Sequence, residues 1–366
     1  MEVIDEGGFG CIIKPALKCK NQKSHKSNMI SKLQLSKYSD YEMRQILKIK
    51  NMCKKIPNCN NYSIIEATSC VPIIPKNMKN KTRCALLEEK LVSSYLSSTK
   101  GKSLKTLKPK KGKTGLKAIT LPYKGVNLHV HILNNVDYSN TASFIEINNS
   151  IIDLYQNFIM ILNKNNFYHN DIKTLNILVD NDHKYRLIDW GIANKIIFTH
   201  TFIFNKPYMY ILLSNYFLDK IDDLKKKGDL KYENVKKLII NYLELIKIKT
   251  DSNYIYTKEI LEFLFPNIAG TKEAINPILL ECFIQISLRF ESSKKWVEIY
   301  MNNLDITSVA IMYADILCAM AMKKQLHLNL QQGIISFYNK YVIECYTIIN
   351  PDDFITDLNK LNLLVV

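Results

Sequence analysis

Between Phe167 and Ala193 two short apolar runs, Asn176–Val179 and Tyr185–Ile188, are joined by the turn-forming Asp180-Asn-Asp-His. Runs of this length bounded by turn residues predict a strand pair, and a strand edge is a rigid mount from which a polar side chain can be aimed. Asp171 lies just before the first run, Asn176 opens it, and Asp189 follows the second. Phosphoryl transfer needs a carboxylate to orient the attacking hydroxyl, and oxygen donors for a hard cation such as Mg²⁺. The three residues are of these types. The bland alternative, an ordinary strand pair with incidental polar ends, has to supply them in this order by chance.

What flanks this stretch predicts an α+β protein. Glu2–Ile4 and Cys11–Ile13 read as strands on either side of a glycine turn, with Asn28–Leu33 and Leu116–Tyr123 as further strands. Tyr41, Ile46, Ile49 and Met52 recur at helical spacing, with Asp40 as the expected N-cap and Pro57 beyond the end. From Thr141 to Lys164 an apolar stripe (Ile147, Ile151, Leu154, Tyr155, Phe158, Ile161, Leu162) predicts a long helix. After Pro207 the chain reads as helical, most clearly over Val235–Ile248, Ile260–Phe265, Ile278–Phe290 and Ile334–Ile349. The expected organisation is two-lobed. Residues 1–120 form a small β-rich lobe with basic insertions near 18–28 and 99–117, residues 121–128 a hinge, and residues 129–366 a large, mainly helical lobe with a divergent carboxyl-terminal part.

Composition narrows the setting. A chain of 366 residues that is 47% hydrophobic can bury a large core, so disorder is not expected. The amino terminus is acidic and lacks the apolar core of a secretory signal, and no run approaches the length of a membrane span, so an intracellular protein is expected. Nine scattered cysteines with no Cys-x-x-Cys pair and an odd total favour reduced thiols, and Cys53 and Cys59 lack the partners of a zinc site. The net charge of +16 points to acidic partners. Part of it sits in the lysine-rich stretch Lys100–Lys117, which reads as a solvated loop. Contact with acidic protein substrates fits it better than nucleic acid, because it has no interleaved aromatics to stack on bases.

The motifs then reach a family. His169-Asn-Asp-Ile-Lys-Thr-Leu-Asn176 resembles the catalytic loop of eukaryotic-type protein kinases, and Asp189-Trp-Gly resembles their Asp-Phe-Gly metal motif. The resemblance implies a two-lobed kinase fold that uses ATP and Mg²⁺, with Mn²⁺ as an alternative ion, to phosphorylate serine or threonine in protein substrates. It implies Asp171 as catalytic base, Lys173 at the γ-phosphate, Asn176 and Asp189 as metal ligands, and His169 as a structural brace. Asp5-Glu-Gly-Gly-Phe-Gly-Cys-Ile12 lines up with the glycine-rich phosphate loop, placing Gly7, Gly8, Gly10 and Ile12 at the nucleotide. Lys32, with Glu42 as its helical partner, matches the nucleotide lysine, and Leu121 and Tyr123 fall in the adenine-binding hinge. The Gly-Gly-Phe-Gly-Cys opening, the delayed Ser-Lys-Leu and Phe204-Asn-Lys-Pro-Tyr are most similar to kinases of poxviruses and other large nucleocytoplasmic DNA viruses, which implies host cytoplasm or the virion.

The departures also matter. Asp5 replaces the first glycine of the loop, Asn170 replaces the arginine that receives an activation-loop phosphate, and no Ala-Pro-Glu follows the metal motif. A small-molecule kinase of the choline or aminoglycoside type is the enzymatic alternative. It generally lacks a lysine two places after the base and a glycine after the aromatic of the metal motif, whereas Lys173 and Gly191 are present. A pseudokinase that binds without transferring is the alternative from another class.

Overall fold

A computed structural model describes residues 2–7, 10–20, 28–75, 84, 115–194, 215–247, 281, 284–285, 287–344 and 347–365. Gly8, most of both basic insertions, Phe204-Asn-Lys-Pro-Tyr, the helix expected at Ile260–Phe265 and part of that at Ile278–Phe290 lie outside them. The protein is mixed α/β, with an antiparallel sheet near the amino terminus and helices later. It divides into two compact units, Met1–Gly125 with Leu178–Ala193, and Val126–Ile177 with Asn194–Val366.

In the first unit, β1 (Glu2–Gly7) and β2 (Gly10–Lys14) form a hairpin whose last pair is Gly7 and Gly10. β4 (Met29–Leu35) and β7 (Leu116–Pro122) continue the antiparallel sheet, and β5 (Thr68–Cys70) closes it. Two two-residue strands, β3 (Lys18–Cys19) and β6 (Pro72–Ile73), pair separately. Alternation sorts the faces. Cys11 and Ile13 of β2 pack with Leu17, Leu33 of β4, Ala118 of β7 and Cys84 in a buried core. Gly10 is needed for the close approach of β2 to β4: a Cβ there would lie 2.4 Å from the Leu33 carbonyl oxygen.

β4 runs directly into α1 (Ser36–Met52), which corrects the expected N-cap. Leu35 holds the N-cap position without a side-chain bond, while the Ser36 N–H and hydroxyl both reach the Gly115 carbonyl. Asp40 therefore lies inside the helix, where its carboxylate pairs with Lys117 at 2.5 Å. The expected strand pair is present as β8 (Ile177–Val179) and β9 (Tyr185–Leu187). Its turn is organised by Asp180, whose Oδ1 accepts from the N–H groups of Asp182 and Lys184 and whose Oδ2 accepts from buried Arg186. The Arg186 Nε also donates to Asn60 O, and Leu187 N–H to Tyr62 O, so the pair is fixed to the segment after α1.

The cysteines correct a second expectation. Cys11–Cys84, Cys19–Cys70 and Cys53–Cys59 are disulfides, all in the first unit. Sequence spacing missed the first two because their partners are 73 and 51 residues apart and become neighbours only when the sheet forms. Cys318 is in no disulfide, and Cys282 and Cys345 lie outside the described residues.

The second unit is helical: α2 (Leu128–Asn134), α3 (Thr141–Leu154), α4 (Met160–Lys164), α5 (Asn215–Lys226), α6 (Tyr232–Lys247), α7 (Ser293–Met322), α8 (Leu328–Tyr338) and α9 (Pro351–Leu361). A π-helical turn, Tyr155–Ile159, joins α3 to α4 and completes the long helix expected over 141–164. α7 has no amphipathic stripe because it is surrounded: Leu304, Ile306, Val309, Met312 and Ala314, which point in all directions around the helix axis, are all buried. Its Met301–Met322 stretch has a mean hydropathy of 1.6 and is long and apolar enough to cross a membrane, contrary to the sequence expectation. Yet 78% of its most apolar window is buried within the protein, so it acts as a core helix. α9 starts on Pro351, with the Asn350 side chain accepting from Asp352 N–H. Its Phe354 ring packs against Tyr155, Phe337 and Tyr341 at centroid distances of 5.0, 5.3 and 4.8 Å.

Candidate active site

Strand register gathers the first group of candidate residues. Gly10 faces Gln34 and Ile12 faces Lys32 across β2 and β4, while Lys32 faces Ile119 and Ile30 faces Leu121 across β4 and β7. Residues opposite or two apart share a face, so Gly10, Ile12, Lys32 and Leu121 lie on the same side of the sheet, away from the Cys11–Ile13 core. Tyr123 follows β7, with its N–H bonded to Asn28 O and its ring beneath the Lys14 ammonium, 3.5 Å from the centroid. Gly7 pairs with Gly10 at the hairpin end.

Lys32 is the hub of this unit. Its Nζ lies 2.9 Å from Glu42 Oε2 and 2.7 Å from Asp189 Oδ1, and Gln34 Nε2 donates to Glu42 Oε2 at 2.8 Å. The short separation of Lys32 from Glu42 follows from the direct passage of β4 into α1. Fewer than two helical turns then suffice to bring the glutamate back over the strand. Burial disfavours the Lys32 ammonium, but the carboxylates of Asp189 and Glu42 outweigh it and hold its pKa above the usual lysine value. Burial pushes the Glu42 carboxyl upward, against the pull of Lys32 and Gln34. Asp189 has a left-handed backbone, φ 63° and ψ 73°, a conformation Asp tolerates better than most residues, and its Oδ1 accepts from Gly191 N–H at 3.3 Å. Nearby, the Tyr41 hydroxyl donates to Ala193 O at 2.7 Å.

The second group lies in the other unit. Asp171 Oδ2 accepts from Asn176 Nδ2 at 2.8 Å and pairs with Lys173 Nζ at 3.1 Å. Its Oδ1 is buried and has no hydrogen-bond partner among the described residues. Such a bare carboxylate oxygen is costly unless something supplies a proton donor, and an incoming hydroxyl would do so. Asn176 Nδ2 also donates to Asp171 O at 2.8 Å, which turns the amide nitrogen inward and leaves the oxygen as the atom suited to a hard cation. Buried His169 accepts the Asp171 N–H on Nδ1 at 3.2 Å, bracing the loop from within. Asn170 is left-handed at φ 65°, which its side chain tolerates.

Sequence reasoning missed the residues that hold this loop. Asp305, in the middle of α7 and 1% exposed, accepts His169 N–H at 2.9 Å and Asn170 N–H at 3.1 Å. Asp315, on the same helix, accepts the Thr174 hydroxyl at 2.6 Å. The available signal was an acid inside an apolar run, since a buried charge requires partners. Gln34 was also missed, although it lies two residues beyond Lys32 on the same face.

The structure thus collects Lys32, Glu42 and Asp189 in one unit and Asp171, Lys173 and Asn176 in the other. Among the described residues no group of three or more His, Cys, Asp or Glu forms a metal cage. Mg²⁺ does not need one: it is commonly held by one or two protein oxygens with water and substrate phosphates completing the shell, and Asn176 and Asp189, each within its own unit, offer an oxygen of that type. Comparison with protein-family models gives no match, and neither does comparison with curated proteins.

Proposed function

We propose that this chain is an ATP- and Mg²⁺-dependent protein kinase of the eukaryotic type, two-lobed, transferring the γ-phosphoryl group to serine and threonine hydroxyls. The observation that carries the reading is the meeting of Lys32, Glu42 and Asp189, which lie 10 and 157 residues from the lysine along the chain. Lys32 and Glu42 were expected as a pair and Asp189 from a separate motif, and an ordinary sheet has no need to bury an ammonium between two carboxylates. Lys32 places a cation where phosphate oxygens are to be held, and Glu42 and Gln34 fix its position. Asp171 accepts the proton of the substrate hydroxyl through Oδ1, while Asn176 and Lys173 hold Oδ2 so that the carboxylate cannot turn away. Asn176 and Asp189 are the residues for Mg²⁺ or Mn²⁺, which when bound offsets the charge on the β- and γ-phosphates. The lysine-rich insertion draws acidic protein substrates.

Purified protein incubated with radiolabelled ATP and Mg²⁺ or Mn²⁺, offered mixed basic and acidic proteins beside choline and aminoglycosides, tests this directly. Label is expected on protein, in phosphoserine and phosphothreonine. Label on the small molecules alone would replace the reading with a small-molecule kinase. ATP binding without transfer to any acceptor would replace it with a pseudokinase.

A further inference from the structure

The loop from His169 to Asn176 is tied to α7 at both ends, and the two ties differ in kind. At the first end, Asp305 takes two backbone N–H groups, which any residues at those positions would offer. At the second end the tie is a side chain. The Thr174 hydroxyl, on a residue 1% exposed, donates to Asp315 Oδ2 at 2.6 Å, the short distance of a hydroxyl–carboxylate bond, which is about twice as strong as a neutral one. Asp305 and Asp315 are ten residues apart on one helix, hence about 15 Å along its axis and roughly 80° around it. One rigid rod therefore spans the loop.

Resting on the phosphotransferase reading, we infer that the Thr174–Asp315 bond is a positioning device for the base and its partners. Thr174 opens the short 3-10 turn Thr174–Asn176, and Asn176 N–H bonds to Lys173 O at 2.8 Å. The hydroxyl thus anchors the turn that presents Asn176, and Asn176 in turn holds Asp171 through its carbonyl and Oδ2. Its neighbours serve other ends: Ile172 is buried and apolar, Leu175 is 48% exposed. Releasing the hydroxyl lets the turn rotate, loosens Asn176 from Asp171 Oδ2 and moves the carboxylate relative to its substrate. Misplacement of a catalytic group by about 1 Å costs on the order of a hundredfold in rate.

Thr174→Val keeps the volume and removes the donor, Thr174→Ser keeps the donor and removes a methyl, and Asp315→Asn keeps an acceptor without its charge. Two readouts are taken on the full chain: steady-state kinetics, and hydrogen exchange of the 168–177 amides. Thr174→Val should lower kcat about 10- to 100-fold, with KM for ATP changing less than kcat, because the Lys32 group is untouched and only Asn176 is loosened. Thr174→Ser should restore kcat to within about threefold, and Asp315→Asn should fall between. Loop exchange should rise about tenfold in Thr174→Val and remain near wild type in Thr174→Ser. A Thr174→Val enzyme with wild-type kcat overturns the inference, as does a Thr174→Ser enzyme as slow as Thr174→Val, since volume rather than the hydroxyl would then be at work. Should Thr174→Val fail to fold, Ser and Asn carry the test: an Asp315→Asn protein with wild-type kcat and loop exchange also overturns it. A wild-type protein that transfers no phosphate defeats the functional reading instead. Loop exchange still decides whether the tie holds, and unchanged exchange in Thr174→Val removes it.

Discussion

Exchanging Asp171 for Asn keeps the outline of the side chain and removes its capacity to accept a proton. The Asn176 and Lys173 contacts need only an oxygen, so the fold should be nearly unaffected. ATP affinity should stay within about threefold of wild type while transfer drops at least about a hundredfold, as is usual for loss of a general base; wild-type turnover, with contaminating kinases excluded, would remove Asp171 from its role. Lys32→Met acts through a different term. It leaves Glu42, 2% exposed, and Asp189, 32% exposed, facing each other without their shared cation. Leaving one partner of a buried pair uncompensated costs about 3 kcal/mol or more. Urea denaturation should report that loss, and Lys32→Met/Glu42→Gln should recover part of it, because the buried charge is then gone; equal instability of the two variants would mean that the pair carries no such coupling. The candidate site residues were legible in sequence because they sit in short motifs, His169–Asn176 and Asp189-Trp-Gly, whose resemblance to a known pattern marks them and directs the search for Lys32 and Glu42. Asp305, Thr174 and Asp315 were not, because what they touch depends on how α7 packs and not on any spacing along the chain.

Among elements, α9 shows how a surface helix can make stability depend on pH. Asp357 accepts from Lys340, Lys360 and the Tyr341 hydroxyl. Partial burial opposes its charge, but these donors outweigh it and bring the pKa from 3.8 to about 2. A carboxylate with a depressed folded-state pKa stabilises the protein above its unfolded value and loses that contribution as pH falls through the folded one. The Tm gap between wild type and Asp357→Asn should therefore be widest above about pH 5 and narrow steadily toward pH 3; a gap independent of pH would show that the charge contributes nothing. Elements with a clear period were the legible ones: α3, α4 and β7 lie within a residue or two of expectation. α1 was misread at its start because Asp40 has the chemistry of a cap, whereas the observed start is fixed by Gly115, far away in sequence. α7 escaped because a helix buried on all sides has no stripe to find.

At the scale of the whole molecule, the three disulfides among the described residues lie in the first unit, and the 11–84 loop encloses the 19–70 loop. Closing a loop of 73 residues restricts the unfolded chain by roughly 4 kcal/mol at 25 °C on the chain-entropy account, and the nested bridge adds less than its own length suggests because much of that freedom is already gone. Reduction should therefore raise hydrogen exchange in β2, β4 and β7 while leaving α7 as it was. If alkylation proves the thiols free and exchange in the sheet does not change, the bridges are not what stabilises it.

α7 also has a life outside the native state. The run that stiffens the folded unit, with its mean hydropathy of 1.6, becomes adhesive once the helices around it part, because it then offers a largely greasy surface, broken by Asp305 and Asp315, to other copies or to a bilayer. Unfolding of that unit should accordingly be a one-way event, with an apparent Tm that depends on scan rate, and the cell's chaperones should meet this protein first at its most deeply hidden segment.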